Sequence, residues 1–172
     1  IAQTLYEGKL TTYPRTDARV LTTAICKVFD KNIRGLQNVE EMAAFSKEVL
    51  DQGMQEPLRQ KTTKYVDDSK VSDHYAIIPT GEGFETLKKL SQLEKDVYLL
   101  ICRRFLSIFY PAAVYQKYAV EIEVKGEHFF AGFKVLKEAG YLKVAEIPKK
   151  KKDTAGESVG RTNRLEPGID GN

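Results

Sequence analysis

Apolar residues recur at helical spacing over the first two thirds of the chain and at every second position after that, with the change near Pro111. Residues 1–8 read as a helix with Gly8 as its C-terminal cap. Leu10 to Tyr13 is a short β-prone run ended by Pro14. Asp17 offers an N-cap to a helix over Ala18 to Asp30, on the spacing of Val20, Leu21, Ala24, Ile25 and Val28, with a polar turn over Asn32 to Asn38. Val39 to Leu50 predicts an amphipathic helix with Met42, Ala43, Phe45, Val49 and Leu50 on one side and Gly53 beyond its end. Residues 54–85 carry weak periodicity, and a stretch of that kind is often functional. Thr86 to Tyr110 predicts the longest helix, with a stripe of Leu87, Leu90, Leu93, Val97, Leu100, Ile101, Phe105 and Ile108. Ala119 to Lys125 then alternates, Gly126-Glu127 suits a hairpin turn, and His128 to Leu136 and Gly140 to Ile147 would be further strands.

The order implies an α+β fold: a mainly helical domain over 1–110, a small antiparallel β segment over 111–147, and a flexible or truncated tail over 148–172. The tail opens on Lys149 to Lys152, a solvated linker or a contact for a phosphate backbone. Ile1 to Glu7 reads as the middle of a helix, so the chain reads as a piece of something longer.

Composition narrows the picture. The 172 residues are 42% hydrophobic and 30% charged, which excludes wholesale disorder, collagen and coiled coil. The longest apolar run, Val97 to Cys102, is too short to span a membrane and is followed at once by Arg103 and Arg104. The net charge is +3, from a front half at −2 (residues 1–85: 11 basic, 13 acidic) and a back half at +5 (16 basic, 11 acidic). This alone does not mark a nucleic-acid binder. Cys26 and Cys102 sit in apolar patterns and read as buried free thiols, in keeping with a reducing cytoplasm.

Two stretches carry chemistry. In Thr11 to Asp17, Pro14 holds Tyr13 extended, and residues two apart in an extended segment face the same side, so Tyr13 and Arg15 share a face. A phenol ionises near about 10, and a fixed cation beside it favours the phenolate. A guanidinium also forks two donors onto a phosphate and stabilises charge growing there. That pairing suits attack of a tyrosine on a phosphodiester. In Ser72 to Thr80, His74 lies between a polar loop and a turn locked by Pro79, suited to phosphate donation or proton transfer. His128, beside the hairpin turn, reads as structural or exposed.

Leu5-Tyr6-Glu7-Gly8 with Thr12 to Asp17, followed by His74 to Thr80, resembles the type IA DNA topoisomerases over roughly residues 1–147. The helix with Arg103-Arg104-Phe105 is similar as well. Pro14 after the tyrosine and Ile77-Ile78-Pro79-Thr80 look closest to the bacterial topoisomerase III branch, although Tyr75 stands where that branch often has a second histidine. The resemblance implies that Tyr13 is the nucleophile joined to a 5′ phosphate, that Arg15 positions that phosphate, and that His74 lies near the cut. Arg103 and Arg104 cannot both face the core stripe, so at least one should reach solvent or phosphate, and both are candidate DNA contacts. The resemblance implies a single-stranded or negatively supercoiled DNA substrate and religation without ATP. It also implies Mg²⁺ held by an N-terminal acidic domain outside this chain, so the chain alone is expected to be inactive. Glu40-Glu41 opens a helix and Asp67-Asp68 lies in a loop, so no metal ligand is assigned here.

The alternative is a non-catalytic single-stranded nucleic-acid-binding module that uses Tyr13, Tyr65, Tyr75, Arg103 and Arg104 as stacking and phosphate contacts. A relaxase would need closely spaced histidines, and a tyrosine recombinase several dispersed Arg and His around its nucleophile. The chain offers neither.

Overall fold

The computed structural model describes residues 1–59 and 63–145. The helices are α1 (Ala2–Glu7), α2 (Thr23–Cys26), α3 (Phe29–Gly35), α4 (Glu40–Asp51), α5 (Glu56–Arg59), α6 (Phe84–Leu87), α7 (Gln92–Ser107) and α8 (Leu142–Ala145). The strands are β1 (Val114–Val124) and β2 (Glu127–Glu138), and short 3₁₀ turns cover Leu36–Asn38 and Asp68–Lys70. The fold is mixed α+β, with the helices before the antiparallel pair. The Lys149 to Lys152 run lies outside the described residues.

The core sits where α3, α4 and α7 meet. Phe29, Phe105 and Phe109 pack edge to face, with ring centroids 5.8, 5.2 and 5.2 Å apart. Ile33, Met42, Val49, Tyr98, Cys102 and Leu106 close around them with no exposure above 0%. Both cysteines are free and buried, and burial pushes their thiols up, that of Cys102 to about 12.

The predicted helix over Ala18 to Asp30 is corrected. Residues 18–22 are not helical because other segments claim their backbone. Leu21 N–H donates to Tyr65 O (2.8 Å), Asp67 N–H to Leu21 O (3.0 Å) and Ala76 N–H to Val20 O (2.9 Å). Thr22, not Asp17, is the N-cap, and the Asp68 carboxylate accepts from Thr23 N–H (2.8 Å) and Oγ1 (2.6 Å) at the start of α2. The polar turn predicted over Asn32 to Asn38 is instead the second half of α3, with Asn32 and Ile33 buried, followed by a 3₁₀ turn over Leu36–Asn38. At the end of α1, Gly8 has φ −74°, and Lys9 takes the left-handed conformation at φ 61°.

The predicted helix from Thr86 is two helices. Ser91 Oγ accepts from Glu94 N–H (3.4 Å) while the Glu94 carboxylate accepts from Ser91 N–H (2.9 Å), and this reciprocal capping box starts α7 at Gln92. Of the predicted stripe, Phe105 is buried and Leu87, Leu90, Val97, Ile101 and Ile108 pack against the core, whereas Leu93 and Leu100 are 62% and 63% exposed and Tyr98, Cys102 and Leu106 join the buried side. Ser91→Ala is expected to cost about 1 kcal/mol, read as a lower urea midpoint with an unchanged slope.

β1 and β2 pair around Lys125-Gly126, both at positive φ (53° and 84°), so the turn begins one residue before the predicted pair. Tyr118 faces Phe133, Val120 faces Ala131 and Ile122 faces Phe129 on one side of the ribbon. Lys117 with Lys134 and Glu123 with His128 lie on the other. Every residue of both strands is exposed, and His128 Nδ1 meets Glu121 Oε1 at 2.8 Å. The third strand predicted from Gly140 is corrected: residues 142–145 form α8, which buries Val144 against α7. Its predicted end, residues 146–147, lies outside the described residues.

Glu48 ties α4 to the segment after α7 and to α8. Its carboxylate accepts from the Tyr110 hydroxyl (2.7 Å) and from Lys143 Nζ (3.2 Å), and these donors, the phenol first, hold it below its ordinary 4.5. A depressed carboxyl adds stability above its unfolded pKa, and that stability is lost as pH falls through the folded value. Glu48→Gln should therefore be less stable than the parent at neutral pH, with the gap closing as pH drops below 4.5 in a denaturation series. A gap that stayed constant with pH would refute the assignment.

Candidate active site

Two extended segments are zipped together beside α1. Thr11 and Pro79 form an antiparallel bridge, Thr12 N–H donates to Ile78 O (3.0 Å), and Ile78 N–H donates to Thr12 Oγ1 (3.0 Å). Thr80 N–H donates to Leu10 O (3.0 Å) on one side of that pair, and the Thr16 hydroxyl donates to His74 O (2.7 Å) on the other. Tyr13, Pro14 and Arg15 are held between the Thr12 and Thr16 clamps.

The second segment is anchored to the helical body. Buried Asn32 donates through Nδ2 to Pro79 O (2.8 Å). Gly81, at φ 76°, lies directly on Gly35: a Cβ on Gly35 would stand 2.2 Å from Gly81 O. Neither glycine admits a larger residue without moving backbone.

This closure brings Tyr13 and His74 together, 61 residues apart in sequence. Their ring centroids are 4.5 Å apart at 43°. The Tyr6 ring meets Tyr13 edge-on at 5.3 Å and 82°. Arg15 is exposed and shares with Thr16, Asp17, Ser72, Asp73 and His74 a depression of about 270 Å³. His74 is thus the member common to the ring contact and the depression. Arg15 and Tyr13 flank it, and an anion seated in the depression meets a guanidinium and an imidazole together with the Asp17 and Asp73 carboxylates.

The other singled-out residues lie elsewhere. Tyr75 is half-buried and packs against the core, and burial pushes its phenol up. Arg103 Nη1 donates to Val144 O (3.3 Å), so it faces α8. Arg104 is exposed, 6.0 Å from the centroid of the Tyr65 ring. Asp67 accepts from Ser69 N–H and pairs with Lys70 (2.8 Å), and Asp68 caps α2, so both serve as caps. Their hydrogen-bond donors, Lys70 first for Asp67 and Thr23 for Asp68, hold both carboxyls below the ordinary carboxylate range. Among the described residues, no group of three or more His, Cys, Asp or Glu is placed to hold a metal ion, and no helix is long and apolar enough to cross a membrane.

Sequence reasoning missed Tyr6, Asn32, Gly35 and Gly81 as parts of this site. A signal existed only for Tyr6, inside the motif; the other three act through contacts that no local pattern announces.

A model of the DNA topoisomerase family matches residues 1–167. The chain is 37% identical over 147 residues to the DNA topoisomerase 3 of Bacillus cereus strain ATCC 14579, covering 85% of this chain and 19% of that protein. It is 38% identical over 149 residues to the DNA topoisomerase 3 of Bacillus subtilis strain 168, covering 86% and 19%. The DNA topoisomerase 3 of Bacillus licheniformis is 37% identical over 148 residues, again covering 86% and 19%. The chain thus spans about a fifth of the length of the curated relatives it matches.

Proposed function

The chain belongs to the DNA topoisomerase family, with homology to the bacterial topoisomerase III, type IA, members, and on that premise we propose that it carries the tyrosine that cuts and rejoins a DNA strand. The contact between the Tyr13 and His74 rings at 4.5 Å, with Arg15 in the depression beside His74, supports this reading most directly.

In the proposed reaction the Tyr13 oxygen attacks the phosphorus of a phosphodiester. A bond forms between Tyr13 Oη and the 5′ phosphate, the bond from phosphorus to O3′ breaks, and the leaving oxygen takes a proton to become a 3′ hydroxyl. Resealing is the reverse: O3′ attacks the phosphotyrosine and Tyr13 regains its proton. Each step exchanges one phosphate ester for another, so no ATP is consumed. Arg15 holds the non-bridging oxygens and offsets the charge that grows on them. His74, against the Tyr13 ring, is placed to donate to the phosphate or to pass a proton. In the family reading Mg²⁺ would offset phosphate charge. The described residues offer no fitting set for it, so the chemistry assigned to this chain uses its own side chains alone.

Residues 1–110 would be the tyrosine-bearing domain and 111–147 a segment of the β-rich arch. The metal-binding acidic domain would lie elsewhere in the longer polypeptide, and the isolated chain would bind or present a strand without cutting it. The substrate would be single-stranded or negatively supercoiled DNA, and the buried free thiols suit a reducing cytoplasm. The test mixes the full-length polypeptide with a single-stranded oligonucleotide labelled on its 3′ side and Mg²⁺, quenches with denaturant, and looks for label on the protein. Label on the protein supports the reading. If none appears where a known type IA enzyme is labelled, the binding-module alternative replaces it.

A further inference from the structure

A second basic surface lies beyond the tyrosine. Arg19, Lys64, Tyr65, Arg104, Ser107 and Tyr141 line a groove of about 710 Å³, and no carboxylate lines it. Lys64 Nζ stands 4.8 Å and the Arg104 guanidinium 6.0 Å from the centroid of the Tyr65 ring, so both charges gather at one aromatic ring. The backbone that carries the ring is held in place, since Tyr65 O accepts from Leu21 N–H at 2.8 Å. Lys31, Arg59, Lys70, Lys88 and Lys143 all meet carboxylates, whereas Arg19, Lys64 and Arg104 have no ion-pair partner among the described residues. Three cations left unneutralised in one concavity repel one another unless an anion is present.

The groove is joined to the Tyr13 site by the chain itself. Residues 15–19 run from the depression beside His74 to Arg19, and the next two are held by Ala76 at Val20 and by Tyr65 at Leu21. Arg19 lies six positions after Tyr13, a span of no more than about 22 Å.

We propose that this groove holds the phosphates of a single DNA strand as it leaves the Tyr13 site, with Arg19, Lys64 and Arg104 as the phosphate contacts and Tyr65 as the platform that keeps two of them in place. A concave seat of this size receives a flexible backbone and not the broad face of a duplex. The proposal rests on the reading of Tyr13 as the strand-cutting residue.

The test measures binding of a fluorescent oligothymidylate to the chain across a salt series. Each cation in contact with a single strand contributes about 0.7 to the slope of log K against log salt. The variant carrying Arg19→Ala, Lys64→Ala and Arg104→Ala should lose about 2 from that slope. Conservative replacement of both arginines by lysine should keep it, as should Tyr13→Phe. Neutralising Lys88, Lys89 and Lys95, with the same change in net charge, should leave it nearly unchanged, and far-UV circular dichroism checks the fold of each variant. An unchanged slope in the groove variant, an equal loss in the control, equal competition by a duplex of the same length, or no binding by the parent chain would overturn the proposal. The catalytic reading fails separately, through a label on full-length protein that survives Tyr13→Phe.

Discussion

Tyr13→Phe in the full-length polypeptide is expected to abolish the covalent adduct with a 3′-labelled oligonucleotide, lowering strand cutting by on the order of 10⁴-fold or more. The substitution removes one oxygen and little else. The ring keeps its contacts with His74 and with Tyr6, and the main-chain clamps at Thr12 and Thr16 do not involve the phenol. DNA binding and folding should therefore survive while the nucleophile is lost. Removing a general acid or base costs about 10² to 10⁴-fold, so the tyrosine should stand apart from His74 in a side-by-side comparison. If the adduct persisted in the variant, mapping of the labelled peptide would be directed first to Tyr6, the adjoining hydroxyl-bearing ring, and the assignment of Tyr13 would be withdrawn.

Phe29→Ala should produce the largest loss of stability, about 3–5 kcal/mol. Phe29 is fully buried and meets two rings edge-on, so truncation empties a space walled by Phe105 and Phe109 that rigid rings cannot close. A loss of that size is a large share of the roughly 5–15 kcal/mol that holds a domain together. The effect should reach the site as well, because α3 also carries Asn32 and Gly35, which hold the backbone at Pro79 and Gly81. Chemical denaturation followed by far-UV circular dichroism measures the loss. A midpoint within error of the parent would show that the aromatic trio is not the keystone of the helical core.

The parts legible in the sequence were those governed by neighbours in the chain. Alternation from Ala119 and the glycine at 126 announced the hairpin, and the apolar side of α4 was readable from Met42 to Leu50. Residues 18–22 misled because Val20 and Leu21 fit helical spacing while their backbone groups were taken by Tyr65, Asp67 and Ala76. Most of the stripe on α7 held, with Phe105 buried and Val97, Ile101 and Ile108 packed against the core, but Leu93 and Leu100 did not, for a related reason. Packing against α4 and α8 decides which side of α7 is buried, and it selects Tyr98, Cys102 and Leu106. At the candidate site the motifs nominated Tyr13, Arg15 and His74 one by one. Their adjacency depends on Thr12, Thr16, Asn32 and the two apposed glycines, contacts that bridge distant positions and leave no periodic trace.

The ribbon of β1 and β2 gives the chain the character of an amphiphile. Over a length of roughly 35 Å, one side carries Lys117, Lys134, Glu121, Glu123 and His128 around the exposed Phe130, while Tyr118, Val120, Ile122, Phe129 and Phe133 present an oily side that no described residue covers. A structure of that kind collects at air–water and plastic surfaces, takes up detergent, and salts out early, as any surfactant does. Handling of the chain thus becomes a matter of interfacial science: added mild detergent or low ionic strength keeps it in free solution, and the ribbon governs its shelf life.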